Sequence, residues 1–468
     1  MITFLDLVFI AISGALLLYG LNRQMNIGMA VFLSVYLVFV LVAHLAWRLG
    51  SSVEYSPQYY LIAHMVSLVF FAGCALISVH DGRRNRTILQ AINRIRPIPL
   101  IVTFLVWLMF QLYLLATYGE SGAVRLSATS GMEEVPYFLS SSASLLNAFV
   151  GGAALAVAMR HNERGSLENK FLLAAFVVFI LYSLAFGAAL AGGRRTILIL
   201  TICFIVARLY NNGRSLSSLM SRHLTALVAA TSICLVLASY YQQIRVNVNA
   251  PIVKDRLASP DLFKKLEGVE LLLTPDLQED AALRNVDSIN RSGPFDFLVS
   301  IAEGRYEFGK SSDGVLTLFC IGKALPRQLY PEKPDYDVDL LIAQLFSVAP
   351  QQDATIGARF FDNPDYSTTV PAFLLGDFGW IGVPAAVLLL TMAMRLSAWA
   401  VGSSAANSIV TIGGLGVVFE ITTTVEGTLV TLLSSLRTLL IVLIVGRVVR
   451  GLSHILAPST RRRHARST

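Results

Sequence analysis

The chain has 468 residues, of which 55% are hydrophobic and only 14% are charged, whereas soluble domains are roughly 25% charged. The apolar residues form runs of about 18 to 22 with almost no charge, the length at which a helix crosses a hydrocarbon layer of roughly 30 Å. Composition therefore argues against a soluble core and predicts an all-α, multi-spanning membrane protein. The net charge of +7 does not indicate nucleic acid binding, because the basic residues lie at predicted helix ends and in the C-terminal tail.

The apolar segments predict about eleven transmembrane helices. They cover residues 2–21, 27–47, 57–79, 98–118, 137–159, 171–191, 196–209, 224–240, 368–394, 405–420 and 428–446. We expect a bundle of about eight helices over residues 1–240, a loop subdomain over 241–367, about three helices over 368–449 and a basic tail over 450–468. The first segment is expected to be retained, because its start carries no basic residue and the run through Leu21 has no small-residue cleavage site.

Basic residues cluster in three short loops, which the positive-inside rule assigns to the cytoplasm. These clusters are Arg83, Arg84, Arg86, Arg94 and Arg96; Arg160, Arg164 and Lys170; and Arg208, Arg214 and Arg222. Counting helices outward from them predicts an external N-terminus and a cytoplasmic tail containing Arg461, Arg462, Arg463 and Arg466. Residues 241–367 then form one external loop, whose apolar stretches at 295–303, 315–321 and 338–348 predict a helical subdomain over the outer face.

The first candidate site is Gly192-Gly193-Arg194-Arg195, between two apolar runs at the predicted outer boundary. Arginines there run against the positive-inside bias. They are either snorkelling anchors or an anion clamp, because guanidinium is permanently charged and binds phosphate in a bidentate manner. The glycines would let such a ligand approach the backbone closely.

Two further motifs lie in and after the external loop. Residues 325–334 read LPRQLYPEKP, and three prolines stiffen this segment so that Arg327 and Lys333 project from an extended backbone. Residues 376–382 read GDFGWIG and are predicted to open the helix after the loop. Asp377 in this motif is expected to face the bundle interior or a site, because an unpaired charge in a membrane helix is costly.

These three motifs, in this order between residues 170 and 395, resemble those of bacterial oligosaccharide repeat-unit polymerases, the Wzy-type O-antigen and exopolysaccharide polymerases. The resemblance implies a polytopic inner-membrane glycosyltransferase of the GT-C type that works at the periplasmic face, with a periplasmic N-terminus and a cytoplasmic C-terminus. Its substrates would be undecaprenyl-diphosphate-linked oligosaccharides. A flippase and a chain-length regulator of the same pathway would be its partners, and neither a metal ion nor another cofactor is expected.

The resemblance also implies roles for individual residues. Arg194, Arg195 and Arg327 would bind the diphosphate and stabilise charge during transfer, with Lys333 in support and Arg245 and Arg305 as secondary binders. Asp377 is included among the catalytic residues. The base that accepts the proton of the acceptor hydroxyl is open among Glu303, Glu307, Asp313, Asp377 and Glu420.

Other chemistry-bearing residues have weaker assignments. Some relatives use an outer-face histidine, and His44 and His64 fall near the outer ends of the second and third predicted helices; each is either a packing residue or a site residue. Residues 335–339 contain the Asp-x-Asp spacing that holds a metal in other glycosyltransferases, but such spacing arises readily in an aqueous loop. The four cysteines have neither metal-ligand spacing nor the pattern of a disulfide framework.

Three alternatives to polymerisation remain. An O-antigen ligase would use the same donor with a lipid A core acceptor. A secondary transporter or flippase for lipid-linked sugars would show inverted repeats and broken midplane helices. A non-catalytic assembly or chain-length partner would not need arginines that converge on one cavity.

Overall fold

The structure is a computed structural model in which the framework is helical. It describes residues 2–45, 56–79, 81–118, 120–121, 124–125, 137–160, 166–186, 193–212, 294–325, 369–403, 407–423 and 429–456, with the single residues 252, 256, 264, 267, 271, 329, 330, 332 and 425. One short ribbon accompanies the helices, in which β1 (Glu120–Ser121) pairs antiparallel with β2 (Val124–Arg125).

Among the described residues, eight helices precede the long external segment predicted from the sequence. They are α1 (Ile2–Asn22), α2 (Ile27–Leu45), α3 (Pro57–Ile77), α4 (Gly82–Arg94), α5 (Pro97–Tyr118), α6 (Tyr137–Met159), α7 (Leu167–Phe186) and α8 (Gly193–Asn212). Local signals set several starts: the side chain of Asn26 accepts a hydrogen bond from the backbone of Met29, and Pro57 stands in the first turn of α3, where no hydrogen bond from its nitrogen is needed. Helix α2 contains a π-helical stretch at Leu37–Val42.

Six helices follow. They are α9 (Pro294–Tyr306), α10 (Val315–Ala324), α11 (Val370–Phe378), α12 (Gly382–Ser403), α13 (Ser408–Thr423) and α14 (Leu429–Leu456), with a 3-10 turn at Gly379–Ile381 between α11 and α12. The predicted apolar stretches 295–303 and 315–321 are thus helical, as α9 and α10. The predicted helix at 224–240 and the stretch at 338–348 lie outside the described residues.

Together these helices form a multi-spanning membrane protein. Seven segments of the described chain are long and apolar enough to cross a bilayer: α1, α2, α3, α5, α6, the α11–α12 segment and α14. Helix α13 and the apolar part of α8 are shorter. They overlap the predicted spans 405–420 and 196–209, and the total of eleven spans stays a prediction.

The loop predicted at residues 80–97 is instead mostly helix α4. Its buried residues Asn85, Ile88, Leu89 and Ile92 follow the spacing of one helical face. Hydropathy alone missed this helix because arginines fill its other face. The prediction of a loop was therefore wrong. The spacing of Ile88, Leu89 and Ile92 is that of one face of a helix and indicated the correct structure.

The described contacts distinguish two ends of the bundle. At one end, which we call the α4 end, the side-chain amide of Asn85 donates to the carbonyl of Met25 at 2.7 Å, and the Tyr210 hydroxyl donates to the same carbonyl at 2.9 Å. The backbone of Asn26 donates to the carbonyl of Ser78 there at 2.9 Å. Helices α9 and α10, which we call the cover, lie at the opposite end, the cover end.

Glycines allow α6 and α13 to pack backbone to backbone. A Cβ atom on Gly152 would clash with the carbonyl oxygen of Ile412, and one on Gly416 would clash with the carbonyl of Ala148. Small residues at such spacing are the usual means of close helix approach in membranes, where lipid provides no hydrophobic drive for association. This contact fixes α13 in the centre of the bundle.

The Gly-Asp-Phe-Gly-Trp-Ile-Gly motif forms a corner between two helices rather than opening one. Gly379 has φ of 60°, a left-handed conformation that favours glycine, and α11 ends there. A Cβ atom on Gly382 would clash with the carbonyl of Leu374, so the chain folds back on α11. The predicted continuous helix start at this motif was wrong, because the glycines serve this turn.

Candidate functional site

The cover lies on the membrane helices through both of its helices. Helix α9 packs against α3 and α11, and α10 packs against α11 and α14. The side chain of Arg437 in α14 donates to the carbonyl of Ala324 at 2.8 Å, where the α10 dipole places negative charge. The start of α8, with Arg194 and Arg195, belongs to the same end, because its last turn lies at the α4 end and a 20-residue helix is about 30 Å long.

A buried polar cluster lies beneath α9. The Tyr60 hydroxyl donates to Oδ1 of Asp6, and Nε2 of His64 lies 2.8 Å from the same oxygen. Nε2 of His44 lies 2.8 Å from the Tyr60 hydroxyl oxygen. Three membrane helices, α1, α2 and α3, thus meet through polar side chains near their ends at the cover.

The cover contributes Asp296 to this cluster. Its Oδ1 lies 3.1 Å from Nδ1 of His44, whose Nε2 is 3.9 Å from Oδ1 of Asp6. Because the Tyr60 hydroxyl donates its proton to Asp6, its oxygen accepts a hydrogen bond from Nε2 of His44. The His44 ring thus lies between the carboxylates of Asp296 and Asp6.

Aromatic rings enclose the cluster. Phe9 stacks on His64 with ring centroids 4.6 Å apart, and Phe295 lies 4.4 Å from His44 and 4.5 Å from His64. Asp6, His44, His64 and Asp296 are each at most 3% exposed. Within the described part of the chain, Oδ2 of Asp6 and Nδ1 of His64 accept or donate no hydrogen bond. Buried polar atoms of this kind are costly.

Asp377 connects α11 to the start of α10. Its Oδ1 accepts hydrogen bonds from Ser312 and from the backbone of Leu316, and its Oδ2 accepts from the backbone of Thr317 at 2.7 Å and from the hydroxyl of Thr317. A carboxylate at a helix N-terminus satisfies exposed N–H groups and complements the dipole. The contacts give Asp377 an anchoring role, and its catalytic role stays a prediction.

Arg305 holds α9 to the helix corner. One guanidinium nitrogen donates to the carbonyl of Gly376 at 2.6 Å and to the hydroxyl of Ser311 at 2.9 Å. A Cβ atom on Gly379 would lie 3.0 Å from Nε of Arg305, so the absence of a side chain at Gly379 makes room for this arginine. Diphosphate binding by Arg305 stays a prediction.

The remaining carboxylates differ in their surroundings. Burial and the neighbouring charge of Glu307 raise the pKa of Glu303 on α9. Glu420 hydrogen-bonds to Ser435. Asp313 is exposed and accepts a hydrogen bond from Ser311 at 2.6 Å. Glu303 is thus a half-buried carboxyl on the cover whose pKa lies above its ordinary value.

The predicted cationic site is described only in part. Arg194 and Arg195 lie in the first turn of α8, but their side chains are outside the described residues. Arg245, Arg327 and Lys333 are also outside them, as are the Asp-x-Asp residues 335–339. Convergence of these arginines stays a prediction.

Sequence reasoning missed three members of the buried cluster: Asp6, Tyr60 and Asp296. A signal existed for Asp6, because an acidic residue within an apolar run of this length demands a partner. Tyr60 precedes His64 by one helical turn, which places both on one face. Asp296 carried no signal, because its partner lies far away in the chain.

Comparisons with protein families, with curated proteins and with solved structures found no match to this chain. The described residues contain no group of three or more His, Cys, Asp or Glu side chains arranged to hold a metal ion.

Proposed function

We propose that this protein is a membrane glycosyltransferase that polymerises undecaprenyl-diphosphate-linked oligosaccharide repeat units at the periplasmic face of a bacterial inner membrane. The observation that carries the proposal is the placement of the cover. Helices α9 and α10 lie over the end of the bundle at which α8 begins with Arg194 and Arg195. The α4 end, with its exposed arginines, is then cytoplasmic.

The substrate of such an enzyme is half lipid and half sugar, so its reacting bond lies at the membrane boundary. In the proposed step, the acceptor hydroxyl oxygen attacks C1 of the donor chain, and the bond from C1 to the diphosphate oxygen breaks. Undecaprenyl diphosphate leaves with the electron pair, and the hydroxyl proton passes to a protein base. Arginines neutralise the diphosphate as its charge grows, and the positioning of the two lipid-linked substrates supplies much of the rate.

Glu303 is the base in this proposal. A carboxylate whose pKa is raised toward neutral pH accepts a proton more readily in the transition state than an ordinary one. Its position on α9 is held by the contact of Asp296 with His44 beneath the helix and by the contact of Arg305 with the corner above it. Asp296 and Arg305 are positioning residues in this scheme.

The test uses the full chain reconstituted in nanodiscs with lipid-linked repeat units, with products separated on gels. Wild-type protein gives a ladder of lengthening chains. We expect Arg327→Ala and Arg194→Ala each to lower the rate by on the order of 100-fold or more, as loss of a transition-state donor does. Glu303→Gln lowers it similarly, whereas Glu307→Gln leaves a ladder.

The outcome distinguishes the neighbouring activities. Transfer to lipid A core, with no product from a second repeat unit, would assign a ligase instead. Unchanged ladders in the Arg327→Ala and Arg194→Ala proteins would discard the cationic site. Retention of folding is checked by the elution volume and the thermal unfolding temperature of each variant.

A second candidate is a proton-coupled transporter of lipid-linked sugars, and two observations favour it. Ionisable groups enclosed within a membrane bundle are characteristic of proton relays, and Asp6, His64 and His44 form such a group. The corner at Gly379 also interrupts a long apolar segment, as in transporters. Translocation of a labelled lipid-linked sugar across proteoliposomes, without any new glycosidic bond, would favour this candidate.

A further inference from the structure

Helix α4 is held at the boundary of the membrane. It follows α3, which ends at Ile77, and precedes α5, which begins at Pro97, and both neighbours are long and apolar enough to cross a bilayer. Its buried face packs against α12 and α8. A 13-residue helix joined this closely to two spans therefore lies at the depth of the lipid head groups.

The rotation of α4 about its axis is fixed by Asn85. Its side-chain oxygen accepts from the backbone of Ile27 at 3.1 Å, and its nitrogen donates to the carbonyls of Met25 at 2.7 Å and Gln24 at 3.2 Å. Asn85 is 1% exposed. The opposite face of α4 is consequently presented outward in one orientation.

That outward face is a cationic stripe. Arg83, Arg86, Gln90 and Arg94 are exposed and recur at the spacing of one helical face. Arg83 and Arg94 are separated by about 16 Å along the axis, from a rise of about 1.5 Å per residue. Helix α4 contains no acidic residue, and no ion pair within the described part of the chain involves its arginines.

We propose that this face of α4 binds the phosphate groups of anionic phospholipids in the leaflet at the α4 end. Guanidinium groups stay charged at every physiological pH and match phosphate in a bidentate geometry. A fixed row of them at head-group depth is neutralised by lipid phosphates without the cost of burying charge. Because the head groups already occupy this depth, binding requires no soluble acidic partner. The proposal is independent of the proposed glycosyl transfer.

The test uses the full chain in nanodiscs of phosphatidylcholine alone or with phosphatidylglycerol. The unfolding temperature and the lipids retained on extraction, identified by mass spectrometry, are measured. The variants are R83Q/R86Q/R94Q and its charge-retaining control R83K/R86K/R94K. We expect wild type to retain phosphatidylglycerol over phosphatidylcholine by on the order of tenfold or more, the control to keep much of this preference, and the glutamine variant to lose it.

Either of two lipid-retention results would overturn the proposal. One is equal retention of both lipids by wild type; the other is an undiminished preference in the glutamine variant. If the triple variant does not fold in phosphatidylcholine, the double variant R83Q/R94Q is measured in its place against R83K/R94K. Binding of an acidic soluble protein without any lipid preference would also count against lipid as the occupant.

Discussion

Nδ1 of His44 and Oδ1 of Asp296 lie 3.1 Å apart, although His44 is in the last turn of α2 and Asp296 in the first turn of α9. This contact ties the cover to the membrane bundle. It is enclosed by Phe295 and continues through Tyr60 to Asp6. The position of α9 therefore depends on a buried polar contact as well as on apolar packing.

Replacing Asp296 by Asn should loosen the cover. Exchanging the carboxylate for an amide disturbs a buried polar contact, which costs about 1–3 kcal/mol. We expect faster hydrogen exchange of the amides of α9 and a lower unfolding temperature. The matched control is Asp313→Asn, which removes an exposed carboxylate from the turn between α9 and α10 and should change neither. Equal exchange in the two variants would contradict a role for the His44 contact.

Replacing Asp377 distinguishes an anchor from a catalytic group. Asp377→Ala removes the acceptor for Ser312, Leu316 and Thr317, and loss of a helix cap of this kind costs about 1–2 kcal/mol. We expect the amides of α10 to exchange faster in this variant. Asp377→Asn keeps one acceptor oxygen for α10, so it should lose less stability than the Ala variant and keep a measurable rate of polymerisation. A folded but fully inactive Asn variant would instead support the predicted catalytic role.

The membrane helices were predictable because a span needs about 20 mostly apolar residues, and hydropathy measures this property. Helix α3 begins at Pro57, as the apolar run at residues 57–79 predicted. Helix α4 was missed because its arginines dominate a hydropathy window, even though Ile88 and Ile92 recur at helical spacing. The corner at Gly379 was read as a helix start, because glycines that permit close packing and glycines that permit a turn look alike in a sequence.

The candidate site was less accessible to prediction. His44 and His64 were noted as outer-end histidines, but their partners depend on which helices meet. The pairing of His44 with Asp296 joins segments distant in the chain, and no local pattern encodes it. For Asp377, the cost of burying a charge indicated that partners exist without indicating that they are the backbone of α10.

Glycine substitutions should separate close helix contacts from open positions. Gly152→Ala places a methyl group against the backbone of Ile412 and Gly416, and overpacking of this kind costs about 1–3 kcal/mol. We expect a lower unfolding temperature in detergent. Gly14→Ala is the control, because nothing lies within 4 Å of its added Cβ. Alanine there should be neutral or stabilise α1 by up to about 1 kcal/mol. Equal unfolding temperatures for the two variants would contradict the backbone contact between α6 and α13.

Glu303 should make stability depend on pH in a defined direction. Burial and Glu307 raise the pKa of Glu303 above its ordinary value of 4.5, so the folded chain holds this proton to higher pH than the unfolded chain does. The contribution of this proton to the free energy of unfolding is complete below the pKa of Glu303 in the unfolded chain. It is lost as the pH rises through the pKa in the folded chain. Glu303→Gln keeps a neutral side chain throughout. Its unfolding temperature should therefore exceed that of wild type by more at pH 8 than at pH 4. A constant difference across this range would mean that Glu303 titrates alike in both states, and its selection as the base would lose its physical reason.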